Sequence, residues 1–202
     1  MNKHKEIRLE TQKDYKSVEK LTFDAFETMA LPGRDFTNEH FYAHLLRNDK
    51  SFIPELDFVI ESNGRIIGNI MYNLLPLTTD NTIKDKVLSL AVLSVKPALH
   101  GQGLGASLIK HTLKEAKNLG YKAVLILGGH PEYYNRFGFL PASQYGLKWL
   151  DGSELDAFLA LELENGYLGN DGGSWELPEI FNTLVNEEAF NLFQEQFFKN
   201  GV

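Results

Sequence analysis

Three alternating glycines, Gly101, Gly103 and Gly105, separate a β-rich run from an amphipathic run. No other feature of the sequence narrows the fold as far. The β-rich run is Val87–Val95, closed by Lys96-Pro97. The amphipathic run is 104–119, with Leu104, Leu108, Ile109, Leu113 and Ala116 on one face and Lys110, Lys114 and Lys117 largely on the other. Gly120 is placed to cap that helix. Ala123–Leu127, AVLIL, follows as a buried strand. Strand, glycine turn, helix and strand make a βαβ unit with a parallel pair. The free N–H groups of a first helical turn, with the positive end of the helix dipole, form an anion site. Glycine lets the backbone turn tightly and come close to what binds there. One or two glycines would serve a plain turn. Three alternating ones at a helix start point to a phosphate, above all a pyrophosphate.

The other segments surround this unit. Residues 6–10 read as a short strand, and Thr11 with Asp14 as a capping-box start to a helix that Pro32 and Gly33 stop. A second helix is expected from Thr37 to about Asn48, with Phe41 and Leu45 inward. Residues 57–61 and 65–75 form an antiparallel hairpin at Asn63-Gly64, so the sheet is mixed. A polar loop fills 78–85, 131–137 is a short helix, and a strand starts at Phe139. Further on, 158–163 reads as a strand and 169–174 as a flexible loop. Asn186 caps a last helix that carries Phe190, Phe193 and Phe197 in one stripe. Such a stripe is expected to pack on the core; a homodimer contact is its alternative use. The expected division is a core domain over 1–150 and a C-terminal extension over 151–202 packed on it.

Composition removes whole classes of chemistry. The 202 residues include no cysteine, which excludes disulfides, zinc–thiolate sites, iron–sulfur clusters and a cysteine nucleophile. The net charge of −7 argues against a general nucleic-acid binder, whose affinity rests on neutralising phosphates. It favours cationic partners, and is also ordinary for solubility. No apolar run approaches the roughly 20 residues that cross a bilayer, and MNKHKEIRLE has no apolar signal core. The expectation is a cytoplasmic protein with neither nucleic acid nor membrane as partner. His40 and His44 stand at i, i+4, but no Glu follows His40 and no third ligand is evident, so both are expected as solvated helix residues and no metal site is expected.

Three classes of phosphate loop compete for the glycines. A P-loop needs Gly-Lys-Ser/Thr, and Gly105-Ala106-Ser107 lacks the lysine. A dinucleotide fingerprint matches at Gly101, Gly103 and Ala106. The next strand, however, ends Leu127-Gly128-Gly129, without the acid that would hold a ribose. That disfavours a dinucleotide-dependent oxidoreductase. The third class fits better. Leu93-Ser94-Val95-Lys96-Pro97 followed by His100-Gly101-Gln102-Gly103-Leu104-Gly105 resembles the coenzyme A-binding motif of the GCN5-related N-acetyltransferases (GNAT), Q/R-x-x-G-x-G/A after a strand ending L-x-V-x-P. Tyr134-Asn135-Arg136-Phe137-Gly138-Phe139 resembles the family's Y-x-x-x-G-F element, and HPEYYNRFGFLPA resembles its YhbS-like branch.

The resemblance implies an α/β (mixed α+β) GNAT fold: a mixed, mostly antiparallel sheet with a central parallel βαβ unit flanked by helices. It implies an acetyl group moved from acetyl-CoA to a primary amine, of a small molecule or a peptide. Transfer would be direct, in a ternary complex. Leu93, Val95, His100, Gly101, Gln102, Gly103, Gly105 and Ala106 would hold the coenzyme, and a backbone N–H near Leu93 or Val95 would serve the carbonyl oxygen. Tyr134 would protonate the leaving thiolate, while Tyr133 points to another helix face. Glu27, Asp35, Glu39 and Glu132 lie in segments that line the acceptor side in the family; a water relay is an equal alternative for the base. Two departures stand out. His100 replaces the usual Arg or Gln, and Leu127-Gly128-Gly129-His130 occupies the place of an Asn common after the fifth strand. A catalytically silent acyl-CoA-binding sensor or interaction module is the alternative function.

Overall fold

The computed structural model describes residues 5–27, 38–78, 82–128, 130–169 and 172–199. Its strands are β1 (Lys5–Leu9), β2 (Phe58–Ser62), β3 (Arg65–Leu74), β4 (Leu77–Thr78), β5 (Ile83–Lys84), β6 (Val87–Val95), β7 (Ala123–Leu127), β8 (Leu140–Pro141) and β9 (Phe158–Glu162). Its helices are α1 (Tyr15–Phe26), α2 (Glu39–Leu46), α3 (Leu104–Asn118), α4 (Pro131–Asn135), α5 (Ile180–Leu184) and α6 (Glu187–Lys199). Seven strands form one sheet in the order β1-β2-β3-β6-β7-β9-β8, and β4 with β5 forms a small ladder inside the expected polar loop. The β1–β2, β2–β3, β7–β9 and β8–β9 pairs are antiparallel. β6 and β7 are parallel over Val87–Ser89 and Ala123–Leu125. The mixed sheet with a central parallel pair is therefore the one expected. Among the described residues no helix is long and apolar enough to cross a membrane.

The chain divides into two compact units: Met1–Met71 with Val92–Leu108 and Pro178–Val202, and Tyr72–Ala91 with Ile109–Leu177. In the first, Asn63 (φ 52°) and Gly64 (φ 72°) give the β2–β3 hairpin its left-handed turn. The Asp14 carboxylate accepts from the Thr11 N–H (2.9 Å) and hydroxyl (2.8 Å), and Arg8 grips it with two bonds, at 2.7 and 2.9 Å. α1 starts at Tyr15, later than a Thr11 cap implies, and the guanidinium holds the Asp14 carboxyl well below the usual carboxylate range. The stop at Pro32-Gly33 lies outside the described residues. In α2 the fully buried leucine is Leu46; Leu45 is half-buried.

His40 corrects the expectation of a solvated residue: it is 0% exposed. The α6 stripe lies on α1 and α2, so the imidazole is enclosed by Phe23, Phe193 and Phe197 with ring centroids at 5.2, 5.4 and 5.0 Å. Burial pushes its pKa down to about 4. His44 stays half-exposed, 3.0 Å from the Glu19 carboxylate. Below this layer Arg47 donates to both Glu10 oxygens (3.0 and 2.8 Å) and to Glu19 (2.9 Å), with the Tyr15 ring 4.2 Å away. Asp57 is buried beside Glu10; burial first, and then Glu10, push its carboxyl far above the usual range.

In the second unit, β7 is a continuous apolar run, as a strand covered on both faces requires. Gly120 (φ 86°) closes α3: its N–H reaches the Lys117 carbonyl (3.1 Å) and the Tyr121 N–H the Ala116 carbonyl (3.0 Å). β9 pairs with β7 along its whole length, so the strand expected beyond residue 150 belongs to the main sheet. The strand expected from Phe139 is only Leu140–Pro141.

Candidate active site

β6 and α3 meet through Lys96, a 3-10 turn at Pro97–Leu99, and the glycines. Gly101 (φ 75°) and Gly103 (φ 78°) are left-handed, a conformation that L side chains rarely adopt. Beside both, the space a Cβ would occupy is open to 4 Å. Gly105 differs: it is buried in the first turn of α3. The first helical bond runs from the Ser107 N–H to the Gly103 carbonyl (2.9 Å). Among the described residues, no protein group accepts from the N–H groups of residues 101–106. Unused donors, open space and a helix dipole therefore converge on one side of the turn.

His100 takes a different place in this turn. Its N–H donates to the Pro97 carbonyl (3.1 Å), and its Nε2–H donates to the Val95 carbonyl (2.8 Å). The ring thus ties the turn to the end of β6. Leu93 and Val95 are half-buried and lie beyond the parallel ladder, which ends at Ser89. The Leu75 N–H donates to the Val87 carbonyl and the Lys96 N–H to the Ile67 carbonyl. Between these two bonds β6 advances one residue further than β3. One extra residue, a bulge, is therefore taken up somewhere between Val87 and Lys96. Gln102 is exposed and Ala106 half-buried.

Tyr134 lies in α4, half-buried, with its ring edge-on to Tyr133 (5.1 Å) and Phe139 (5.9 Å). Among the described residues its hydroxyl has no hydrogen-bond partner, and it is not enclosed. Tyr72 contrasts with it: that hydroxyl is buried against the Thr112 hydroxyl at 2.8 Å. Burial pushes the Tyr134 pKa up to about 12. A residue that the sequence marks only as a departure from the family pattern, Gly128, fixes this ring. A Cβ on Gly128 would stand 2.6 Å from Tyr134 Cε2, so only glycine leaves the ring its place. The signal was the glycine pair at the end of β7, where the Asn is missing. Of the candidate bases, Glu27 and Glu132 are exposed, Glu132 beside His130 (3.3 Å). Among the described residues Glu39 has a buried oxygen without a partner, and Asp35 lies outside them.

The model of the acetyltransferase (GNAT) family matches residues 16–139, and the chain belongs to that family. YhbS of Escherichia coli K12, an uncharacterised N-acetyltransferase, is 28% identical over 176 residues, 87% of this chain and 98% of its own. The crystal structure of E. coli YhbS in complex with CoA matches at a TM-score of 0.72 and 28% identity, covering 90% of this chain and 94% of that one. A GNAT acetyltransferase of Brucella melitensis in complex with acetyl-CoA matches at 0.66 and 25% identity, covering 89% and 99%.

Proposed function

We propose that the chain transfers an acetyl group from acetyl-CoA to a primary amine, of a small molecule or a peptide. The observation that carries this reading is the turn at residues 100–106, with its two left-handed glycines and its unused N–H groups. Gly101, Gln102, Gly103, Gly105 and Ala106 offer those groups to the pyrophosphate. His100 shapes the turn through Val95. Bound acetyl-CoA supplies the activated thioester. The stretch of β6 around Leu93 and Val95, beyond the end of the parallel ladder, offers a backbone N–H to the charge that gathers on the carbonyl oxygen.

Tyr134 serves the leaving sulfur. With a pKa of about 12 the phenol keeps its proton throughout the neutral range. It is a weaker acid than a thiol of about 8.5, so it acts by donating a hydrogen bond as the C–S bond breaks. Overall a C–N bond forms, a C–S bond breaks, and one proton passes from nitrogen to sulfur. The phenol keeps its proton through the step, and the proton that the sulfur gains is the one the amine sheds.

Tyr134→Phe tests this reading, with thiol release from a panel of amines as the readout. Turnover on the best amine should fall roughly 100-fold, the scale of general acid catalysis, while acetyl-CoA affinity stays within a few-fold. Tyr133→Phe should cost much less. Because the phenol titrates near 12, it should cause no alkaline fall in the parent's rate below about pH 10. Full activity in Tyr134→Phe would remove the residue from the mechanism. Tight acetyl-CoA binding with no thiol release from any amine would favour the silent sensor.

A further inference from the structure

Beside the glycine turn, on the side of the β2–β3 hairpin, lies a cavity of about 250 Å³. Sheet register builds its cationic wall. Lys5 stands opposite Ser62, and Ser62 opposite Arg65, across three neighbouring strands. Residues in register share a face of the sheet, so both cations project from the same side. Lys96 joins them because its N–H is tied to the Ile67 carbonyl at 3.0 Å. Gln102 completes the wall, Ile67 contributes to an apolar floor, and among the described residues no acidic one lines the cavity.

Three cations cluster around this cavity. The net charge is −7, yet among the described residues none of Lys5, Arg65 and Lys96 has a carboxylate partner. Arg8 and Arg47, in the same unit, each hold two carboxylates. A guanidinium fork and two ammonium groups without anions form a receptor for a compact, multiply charged oxyanion.

We propose that this cavity takes the 3′-phosphate at the adenosine end of coenzyme A, an inference that rests on the function proposed above. Gln102 belongs both to the cavity and to the turn that would cradle the pyrophosphate. The phosphorylated ribose hangs from that pyrophosphate and has to settle beside the turn. Arg65 would pair with the phosphate through its fork, Lys5 and Lys96 as point charges, and the apolar floor would take the flank of the nucleoside. The site would thereby distinguish coenzyme A from dinucleotides that lack this phosphate.

The test compares binding of CoA and 3′-dephospho-CoA to the whole chain by calorimetry. The parent should bind dephospho-CoA roughly ten-fold more weakly, as the loss of several partly exposed ion pairs implies. The ratio should shrink as salt is raised, because such pairs are screened. In Arg65→Glu and Lys96→Glu the ratio should fall to about one, through weaker CoA binding alone. Lys13→Glu, outside the cavity, should keep the parental ratio. Equal affinity of the parent for both ligands, or an undiminished ratio in the two variants, would overturn the inference while leaving the proposed function standing. If the parent binds neither ligand, both fall.

Discussion

The glycine turn after β6 and the helical layer of α1, α2 and α6 belong to the same compact unit, but different parts of the chain determine them. The turn is made by backbone: two positive φ angles, a short helix start and N–H groups with no internal partner among the described residues. The layer is made by side chains from distant stretches: an imidazole closed in by phenylalanines of α6, above an arginine held by Glu10 and Glu19. Backbone features leave local marks, because each needs a particular residue at a particular place. Side-chain clusters leave none, because burial depends on what the rest of the chain brings to them.

If the two regions are independent, damage to the layer should cost stability and spare coenzyme affinity. Arg47→Ala should have the largest effect. It leaves Glu10 and Glu19 buried without their cation, at a cost of about 3–5 kcal/mol, measurable by urea unfolding. Coenzyme affinity of the folded fraction should stay within two-fold. A large loss of affinity would join the two regions energetically.

Next come His40 and Asp57, whose pH dependences have opposite sign. The His40 pKa is depressed from 6.5 to about 4 in the fold. Its neutral form contributes stability above about 6.5 that is lost as pH falls towards 4. His40→Leu should therefore gain on the parent over that interval, by at most about 1.4 kcal/mol per pH unit. Asp57 has a raised pKa, so the stability it contributes at low pH is lost as pH rises above the ordinary carboxylate range. Asp57→Asn should gain on the parent as pH rises through neutrality. Parallel stability–pH curves for variant and parent would contradict either assignment.

The smallest effect carries the comparison to Tyr134, a side chain whose place depends on a glycine. Gly128→Ala puts a methyl group 2.6 Å from the ring. The ring has to move, and turnover should fall roughly ten-fold, as misplacing a catalytic group does, with acetyl-CoA affinity kept within two-fold. Unchanged turnover would show that the ring's position does not matter.

These residues also mark how far the sequence could be read. The bounds of β6 and β7, the hairpin turn at Asn63-Gly64 and the Gly120 cap follow from local pattern and are found as expected. α1 starts at Tyr15 although the Asp14 carboxylate does accept from the Thr11 N–H, and the same carboxylate is also held by Arg8 on the preceding strand. Leu46 replaces Leu45 as the fully buried leucine, and a shift of one residue on a short helix is beyond what periodicity resolves. His40 has the spacing of a solvated or metal-binding residue, and only the arrival of α6 buries it. At the candidate site, the glycines and Tyr134 were visible as motifs. The bond from His100 to Val95, the bulge in β6 and the need for glycine at 128 were not, since each depends on a partner set by the fold.

The central claim is that the turn at residues 100–106 is a coenzyme A cradle and not merely a turn. Titration of acetyl-CoA into the parent and into Gly103→Val, followed by calorimetry, tests it most directly. Valine at φ 78° should cost about 1–2 kcal/mol of stability, leaving a folded protein by circular dichroism. Its branched side chain would fill the open space beside the free N–H groups. The parent should bind acetyl-CoA and not NAD, and the variant should lose affinity by about 100-fold or more, equivalent to about 2.7 kcal/mol. A folded Gly103→Val protein that binds acetyl-CoA as tightly as the parent would contradict the account.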